Sequence, residues 1–210
     1  MNDSIVFDCF SAAYLACAEN EDYLGILDAV AGDGDHGRGM VRGFLAATNV
    51  LRDASGPPST LIASAGSTFA DAAGGASGAL WGVMLQAIAS SLDGSSISDV
   101  DIVKAMTSGL EMLKVTGKTQ RGDKTLVDVL EPFLDSMEKL VTNGIPFVIA
   151  WSESLVVGND ALGETAKMSA RRGRAAVLGD KSIGSVDAGA QSLQLILVAV
   201  SKVLAADAEG

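Results

Sequence analysis

Apolar side chains recur every three or four positions over most of the chain, the spacing that lines them along one face of an α-helix. The stripe is clearest near the C-terminus, where Leu193, Ile196, Leu197, Val200, Val203 and Leu204 follow an i, i+3, i+4, i+7 pattern. Val127, Leu130, Leu134, Met137 and Val141 repeat it over 126–141, and Ile102, Met106, Leu110 and Leu113 over 98–114. Further helices are expected near 4–28, 38–53, 59–73, 78–92 and 146–170, with Pro58 and Pro146 suited to first turns and Gly56, Gly94 and Gly144 to breaks. This predicts an all-α chain of about eight helices. Short connections favour antiparallel neighbours, hence an up-and-down barrel or bundle forming a single domain over 1–210.

Composition sharpens that picture. The 24 glycines and only 5% aromatic residues suit helices packed closely through small side chains, and 48% apolar residues are enough for a real core. With 15 basic and 26 acidic side chains the net charge is -11, which argues against a nucleic-acid partner. No run of purely apolar residues approaches the roughly 18 needed to span a bilayer, and the opening MNDSIVFDCF has acids where a signal peptide has basic residues, so a cytoplasmic setting without membrane contact is expected. Cys9 and Cys17, eight positions apart on one predicted helix, lie too far apart for a disulfide and read as reduced core residues.

The candidate chemistry sits in four glycine-rich junctions, at 32–39, 74–78, 117–122 and 184–189. In an antiparallel bundle several of these gather at one end, which predicts a ligand site there. The first junction places Asp28, Asp33 and Asp35 within eight residues, a density of hard oxygen ligands that suits Mg²⁺; a calcium EF-hand lacks its bidentate glutamate. The same residues satisfy a purely local reading, with Asp33 in a turn, Asp35 as a helix N-cap and Asp28 a solvated acid. His36, the single histidine, is either a base or a loop hydrogen-bonding group.

Residues 74–82 open a helix at Ser77 or Gly78 whose amides can bind an anion without lysine or arginine; close packing followed by a serine cap is the local alternative. There is no Walker A sequence, and no G-x-G-x-x-G following a strand. The third junction puts Asp123 or Thr125 at a helix start. The fourth, 171–191, gathers Arg171, Arg172, Arg174 and Lys181 in a long loop, either a phosphate-facing patch or a solvated charge run.

Taken together, G-D-G-D-H-G, G-G-A-S-G, G-D-K-T, and G-R-A followed by S-I-G and D-x-G resemble the L subunit of dihydroxyacetone kinases, in order and spacing over nearly the whole chain. The resemblance implies an eight-helix barrel with a nucleotide site at one end, and two Mg²⁺ ions held by Asp28, Asp33 and Asp35. It implies ATP or ADP contacts from His36, Gly37, Arg38, Gly39, Ala76, Ser77, Gly117, Leu126, Arg174, Asp187, Ala188 and Gly189. It further implies a K-type partner subunit that holds a short ketose, a phosphoryl donor that is either ATP or bound ADP recharged by a phosphotransferase-system M protein, and a possible homodimer. The sequence departs from the family pattern at Gly39, Ala79, Lys181 and Ala188, which bears on the sugar more than on the phosphoryl chemistry and leaves a tetrulose as an alternative. A nucleotide-dependent regulatory module is the alternative from outside enzymology.

Overall fold

The computed structural model describes residues 4–92 and 97–209; the expected break at Gly94 lies outside them. Among the described residues the regular elements are all helices: α1 (Ser4–Glu19), α2 (Glu21–Ala29), α3 (His36–Leu51), α4 (Pro58–Ala73), α5 (Gly75–Ser91), α6 (Asp99–Gly117), α7 (Val127–Thr142), α8 (Phe147–Thr165) and α9 (Ala188–Glu209). Two single 3₁₀ turns, Arg174–Val177 and Gly179–Ser182, interrupt the connection from α8 to α9. From α3 onward each α-helix packs on its neighbour in sequence, α9 closes onto α1, and α1 packs on α3, giving a ring of eight helices running alternately up and down.

The ninth helix comes from a split in the element expected over 4–28. Asn20, at φ -117° and ψ 15°, leaves the helical region while its side-chain amide donates back to the Ala16 carbonyl at 2.9 Å. Asparagine competes with the backbone for such bonds and so favours a helix end. Glu21 and Asp22 then occupy the first turn of α2, where negative charge is favoured. Helix α2 stays out of the ring and lies on α3 and α9 at the end where the odd-numbered helices α3, α5, α7 and α9 begin.

Two aromatic groups fill much of the core. Phe44 stands edge-on to Phe69 and Trp81, with ring centroids 4.9 and 5.4 Å apart, and tilted 6.0 Å from Phe10. On the far side Trp151 packs between Phe133 and Phe147 at 5.1 and 5.6 Å, and its indole N–H donates to the Leu197 carbonyl. Small residues permit the close approach: a Cβ on Gly43 would stand 2.5 Å from the Phe69 ring.

Helix α9 is long and apolar enough by length and composition to cross a bilayer, unlike the short apolar runs read from the sequence. Here it is a member of the ring, with Leu193, Ile196 and Leu197 buried against α1, α7 and α8. Cys9 and Cys17 are both free, and burial pushes each thiol up to about 12, which leaves no thiolate near neutral pH.

Candidate functional site

The alternation of the ring brings the loops 30–35, 74, 118–126 and 166–187 to one mouth. There they enclose a cavity of about 650 Å³, lined from all four glycine-rich junctions. Its apolar wall includes Leu80, Leu113 and Leu126, and its polar wall the acidic loop, the Gly74–Ser77 turn and the start of α9.

In the acidic loop, Asp28 near the end of α2 does two jobs. One carboxylate oxygen accepts from the backbone N–H groups of Asp35 and His36, at 3.1 and 3.4 Å, and so caps α3 from the preceding helix. Asp35 sits at the N-cap position but its side chain makes no capping bond, which corrects the local reading of Asp35 as the cap. Its carboxylate, like that of Asp33, is left exposed to the mouth. Oxygens of Asp28, Asp33 and Asp35 lie within 4.8 Å of one another, an arrangement that three like charges hold at a cost unless a cation neutralises them. Among the described ion pairs, the cation that meets the triplet is the Arg174 guanidinium on Asp33. The donor set is therefore all hard oxygen and already attracts positive charge, which fits a magnesium ion.

Helix α5 opens at Gly75, two residues before the earliest expected start. Gly74 and Gly75 both take positive φ, 66° and 59°, a turn that glycine enters without strain. The amides of residues 75–77 therefore form the first turn and face the mouth. Arg42, on α3, holds this turn from behind by donating to the Ala72 and Ala73 carbonyls at 3.3 and 3.1 Å. His36 bridges Ser77 of α5, at 3.3 Å from Nδ1, and Ser192 of α9, at 2.9 Å from Nε2. Burial lowers the His36 pKa, against the upward pull of the Asp28 and Asp35 charges.

The third junction is organised by Asp128 inside α7, which accepts from the amides of Gly122 and Thr125 at 2.5 and 2.8 Å. Helix α7 starts at Val127 with Leu126 as its N-cap, not at Asp123 or Thr125. Asp123 is buried and tied to the basic loop: its carboxylate takes the Arg172 Nε–H at 2.8 Å and its carbonyl the Arg171 amide at 3.0 Å. Burial pushes the Asp123 carboxyl up, but the Arg172 hydrogen bond, the Gln120 amide and the charges of Arg172 and Arg171 outweigh it and hold it below the usual carboxylate range. Lys124, buried and in the left-handed region at φ 61°, donates its ammonium to the carbonyls of Met168, Ser182 and Ser185 at 3.3, 2.5 and 2.8 Å. The basic loop is thus pinned from beneath by two consecutive residues.

At the start of α9 the Asp187 carboxylate accepts the Ala190 amide at 2.8 Å, and the Asp187 amide donates to Thr165. Burial raises the Asp187 carboxyl to about 6, against the Ala190 bond and the Lys124 charge, which pull it down.

Of the residues singled out from the sequence, Asp28, Asp33, Asp35, His36, Gly39, Ala76, Ser77, Gly117, Leu126, Arg174, Asp187, Ala188 and Gly189 all line the cavity. Gly37 and Arg38 do not: Gly37 packs against the Glu21 backbone, where a Cβ would collide with the carbonyl, and Arg38 is exposed on the other face of α3. Of the four departures, Gly39, Ala79 and Ala188 line the cavity, whereas Lys181 is exposed and off it. The sequence reading missed Lys124, Arg42 and Thr119 as lining residues and gave Arg172 no individual role. The side-chain bonds of Arg42, Lys124 and Arg172 reach across 30 to 61 positions and leave no local pattern, whereas Thr119 bonds to Thr125 and Lys114 nearby.

The family model of the DAK2 domain matches residues 30–202, which span most of this closed ring and its acidic mouth. The chain belongs to the DAK2 domain family and, within it, to the DhaL type of dihydroxyacetone kinase subunit. It is 33% identical over 185 residues to the ADP-binding subunit DhaL of the PEP-dependent dihydroxyacetone kinase 1 of Listeria innocua, covering 87% of each chain. It is 42% identical over 197 residues to an L-erythrulose 1-kinase of Mycolicibacterium smegmatis, covering 89% of this chain and 33% of that protein. The crystal structure of the dihydroxyacetone kinase from C. freundii in complex with AMP-PNP and Mg²⁺ superimposes with a TM-score of 0.71 at 26% identity, covering 96% of this chain and 34% of that one. The chain thus spans about a third of the length of the erythrulose kinases it matches.

Proposed function

We propose that this chain is the nucleotide-holding, phosphoryl-delivering unit of a short-ketose kinase, acting as one domain over 1–210 in the cytoplasm. The observation that carries the reading is the convergence, at one mouth, of the Asp28, Asp33 and Asp35 carboxylates with the N-terminal amides of α5 and α9 around a single cavity. Carboxylates that gather cations and amides that hold phosphate oxygens are complementary halves of a site for a magnesium nucleotide. The triplet holds two Mg²⁺ ions in this reading, and their charge when bound neutralises the phosphate oxygens during transfer. Leu80, Leu113 and Leu126 flank the base, residues 75–77 and 188–189 hold phosphate through their amides, and Arg174 and Arg172 supply positive charge from the loop above. Transfer then rests on positioning and fixed charge.

The acceptor is a short ketose presented by a K-type partner subunit. Similarity of 42% and 40% to two L-erythrulose kinases, against 33% to the Listeria DhaL subunit, favours a tetrulose over dihydroxyacetone, with ATP as the donor in this first reading. The similarity to PEP-dependent subunits supports a second reading, in which ADP stays bound and a phosphotransferase-system M protein recharges it.

Calorimetric titration of the chain with ADP and ATP, with and without Mg²⁺, tests the core of the reading. Magnesium-dependent binding is expected in the wild type and its loss in both Asp33→Ala and Asp35→Ala; unchanged binding in both variants refutes the metal assignment. Exchangeable ATP supports the ATP-dependent form and ADP carried through purification the recharged form. Binding without transfer to erythrulose or dihydroxyacetone, with a K-type partner present, identifies a regulatory module instead.

A further inference from the structure

The single histidine of the chain is gripped from two sides, and the two grips are not equivalent. His36 Nε2 lies 2.9 Å from the Ser192 hydroxyl oxygen, and that hydroxyl donates to the Gly189 carbonyl at 3.0 Å. A hydroxyl has one proton to give. The Gly189 carbonyl and Nε2 compete for that proton; given to Gly189, it leaves the Ser192 oxygen able only to accept from the ring, the state in which Nε2 carries the hydrogen, and the Ala188 carbonyl beside the ring also favours a ring N–H. On the other side Nδ1 lies 3.3 Å from the Ser77 hydroxyl, which is free to donate or accept. His36 and Ser77 both line the cavity, whereas Ser192 is fully buried behind them and does not.

We infer that Ser192 is a positioning residue: by keeping a proton on Nε2 of His36 it leaves Nδ1, on the Ser77 side, as the acceptor of the ring. Ser77 then donates to Nδ1 and turns its lone pairs towards the cavity. In that state its oxygen suits a donor, such as a water or a hydroxyl of the bound molecule, and not a bare phosphate oxygen. Phosphate is left to the backbone amides of the first turn of α5, which have no such choice of direction. The order is set from the second turn of α9, 156 positions from the histidine, through a serine that never touches the ligand. The consequence for ligand binding rests on the nucleotide reading above; the proton's location does not.

The test uses the full chain carrying ¹⁵N-labelled histidine, and a single imidazole makes the spectrum unambiguous. A long-range ¹⁵N–¹H correlation at pH 8, without nucleotide, is expected to show one tautomer with the proton on Nε2. In Ser192→Ala the ring is expected to populate both tautomers, with Mg·ADP binding weakened about fivefold, the equivalent of one ordinary hydrogen bond; Ser192→Thr restores both readings. A proton on Nδ1 in the wild type, or an unchanged Nε2–H tautomer in Ser192→Ala, overturns the inference, and the wild-type spectrum decides even if a variant folds poorly. Failure of the wild type to bind Mg·ADP strikes the nucleotide reading and leaves the tautomer result in place.

Discussion

Lys124 is the residue whose removal should tell most about how the mouth is built. Its ammonium meets three carbonyls of the basic loop, two of them at 2.5 and 2.8 Å and one at a weaker 3.3 Å. Hydrogen bonds from a charged donor contribute about 1.5–3 kcal/mol each. Two good ones, discounted for the burial that lowers the Lys124 pKa, come to about 2–4 kcal/mol. In Lys124→Met that amount is lost from the loop, because the carbonyls belong to residues 168–185 and the ring does not depend on them. Backbone amides that close the loop, Gly184 on Ala166 and Arg171 on Asp123, should then exchange about 30- to 1,000-fold faster, while amides in α4 and α5 keep their rates. Hydrogen exchange followed by mass spectrometry reads both regions at once. Lys124→Gly separates the side chain from the backbone: it loses the same bonds but relieves a left-handed conformation at φ 61° worth about 1 kcal/mol, so its loop should open less than that of the methionine variant. Unchanged exchange over 166–187 in Lys124→Met, or uniform acceleration around the ring, would refute the assignment of Lys124 as the pin.

Two further outcomes follow from charges at the mouth. The Asp187 carboxyl, raised by burial from 3.8 to about 6, binds its proton more tightly in the folded chain, so its contribution to stability is full below pH 4 and is lost as pH rises to about 6. Asp187→Asn removes this dependence, and at pH 7 the nucleotide-free variant should be more stable by up to about 3 kcal/mol; parallel melting profiles of variant and wild type from pH 4 to 7 would contradict this. Arg174 competes with any cation for Asp33, so Arg174→Gln should bind Mn²⁺ more tightly without nucleotide, by no more than about fivefold because both side chains are exposed, and bind Mg·ADP more weakly; no gain for Mn²⁺ alone would show that the ion pair does not guard the triplet.

The sequence made the ring legible through its apolar stripes, since Leu193, Ile196 and Leu197, or Leu130, Leu134 and Met137, face inward as their spacing demands. It also made the mouth legible, because glycine-rich junctions at alternate turns of an antiparallel ring must share an end. What it could not show are decisions taken by distant partners. The break at Asn20 interrupts a run whose helical period continues on both sides. The cap of α3 comes from Asp28 and not from Asp35, which holds the expected position. Lys124 reads as one more charge in a turn until the carbonyls of residues 168–185 come to it. Gly37 and Arg38 belong to the right motif, but the rotation of α3 points them away from the cavity.

The closing of the ring between α1 and α9 has a consequence for how such a domain can be joined to others. Ser4 begins α1, and Glu209 ends α9, at the pole opposite the mouth. Any polypeptide attached at either point leaves from the blind side, so the mouth stays clear for a docked partner. To reach the cavity, a tethered neighbour must span the length of α9, 22 residues or about 33 Å, and the linker, not the barrel, then decides which copy of the neighbour is served.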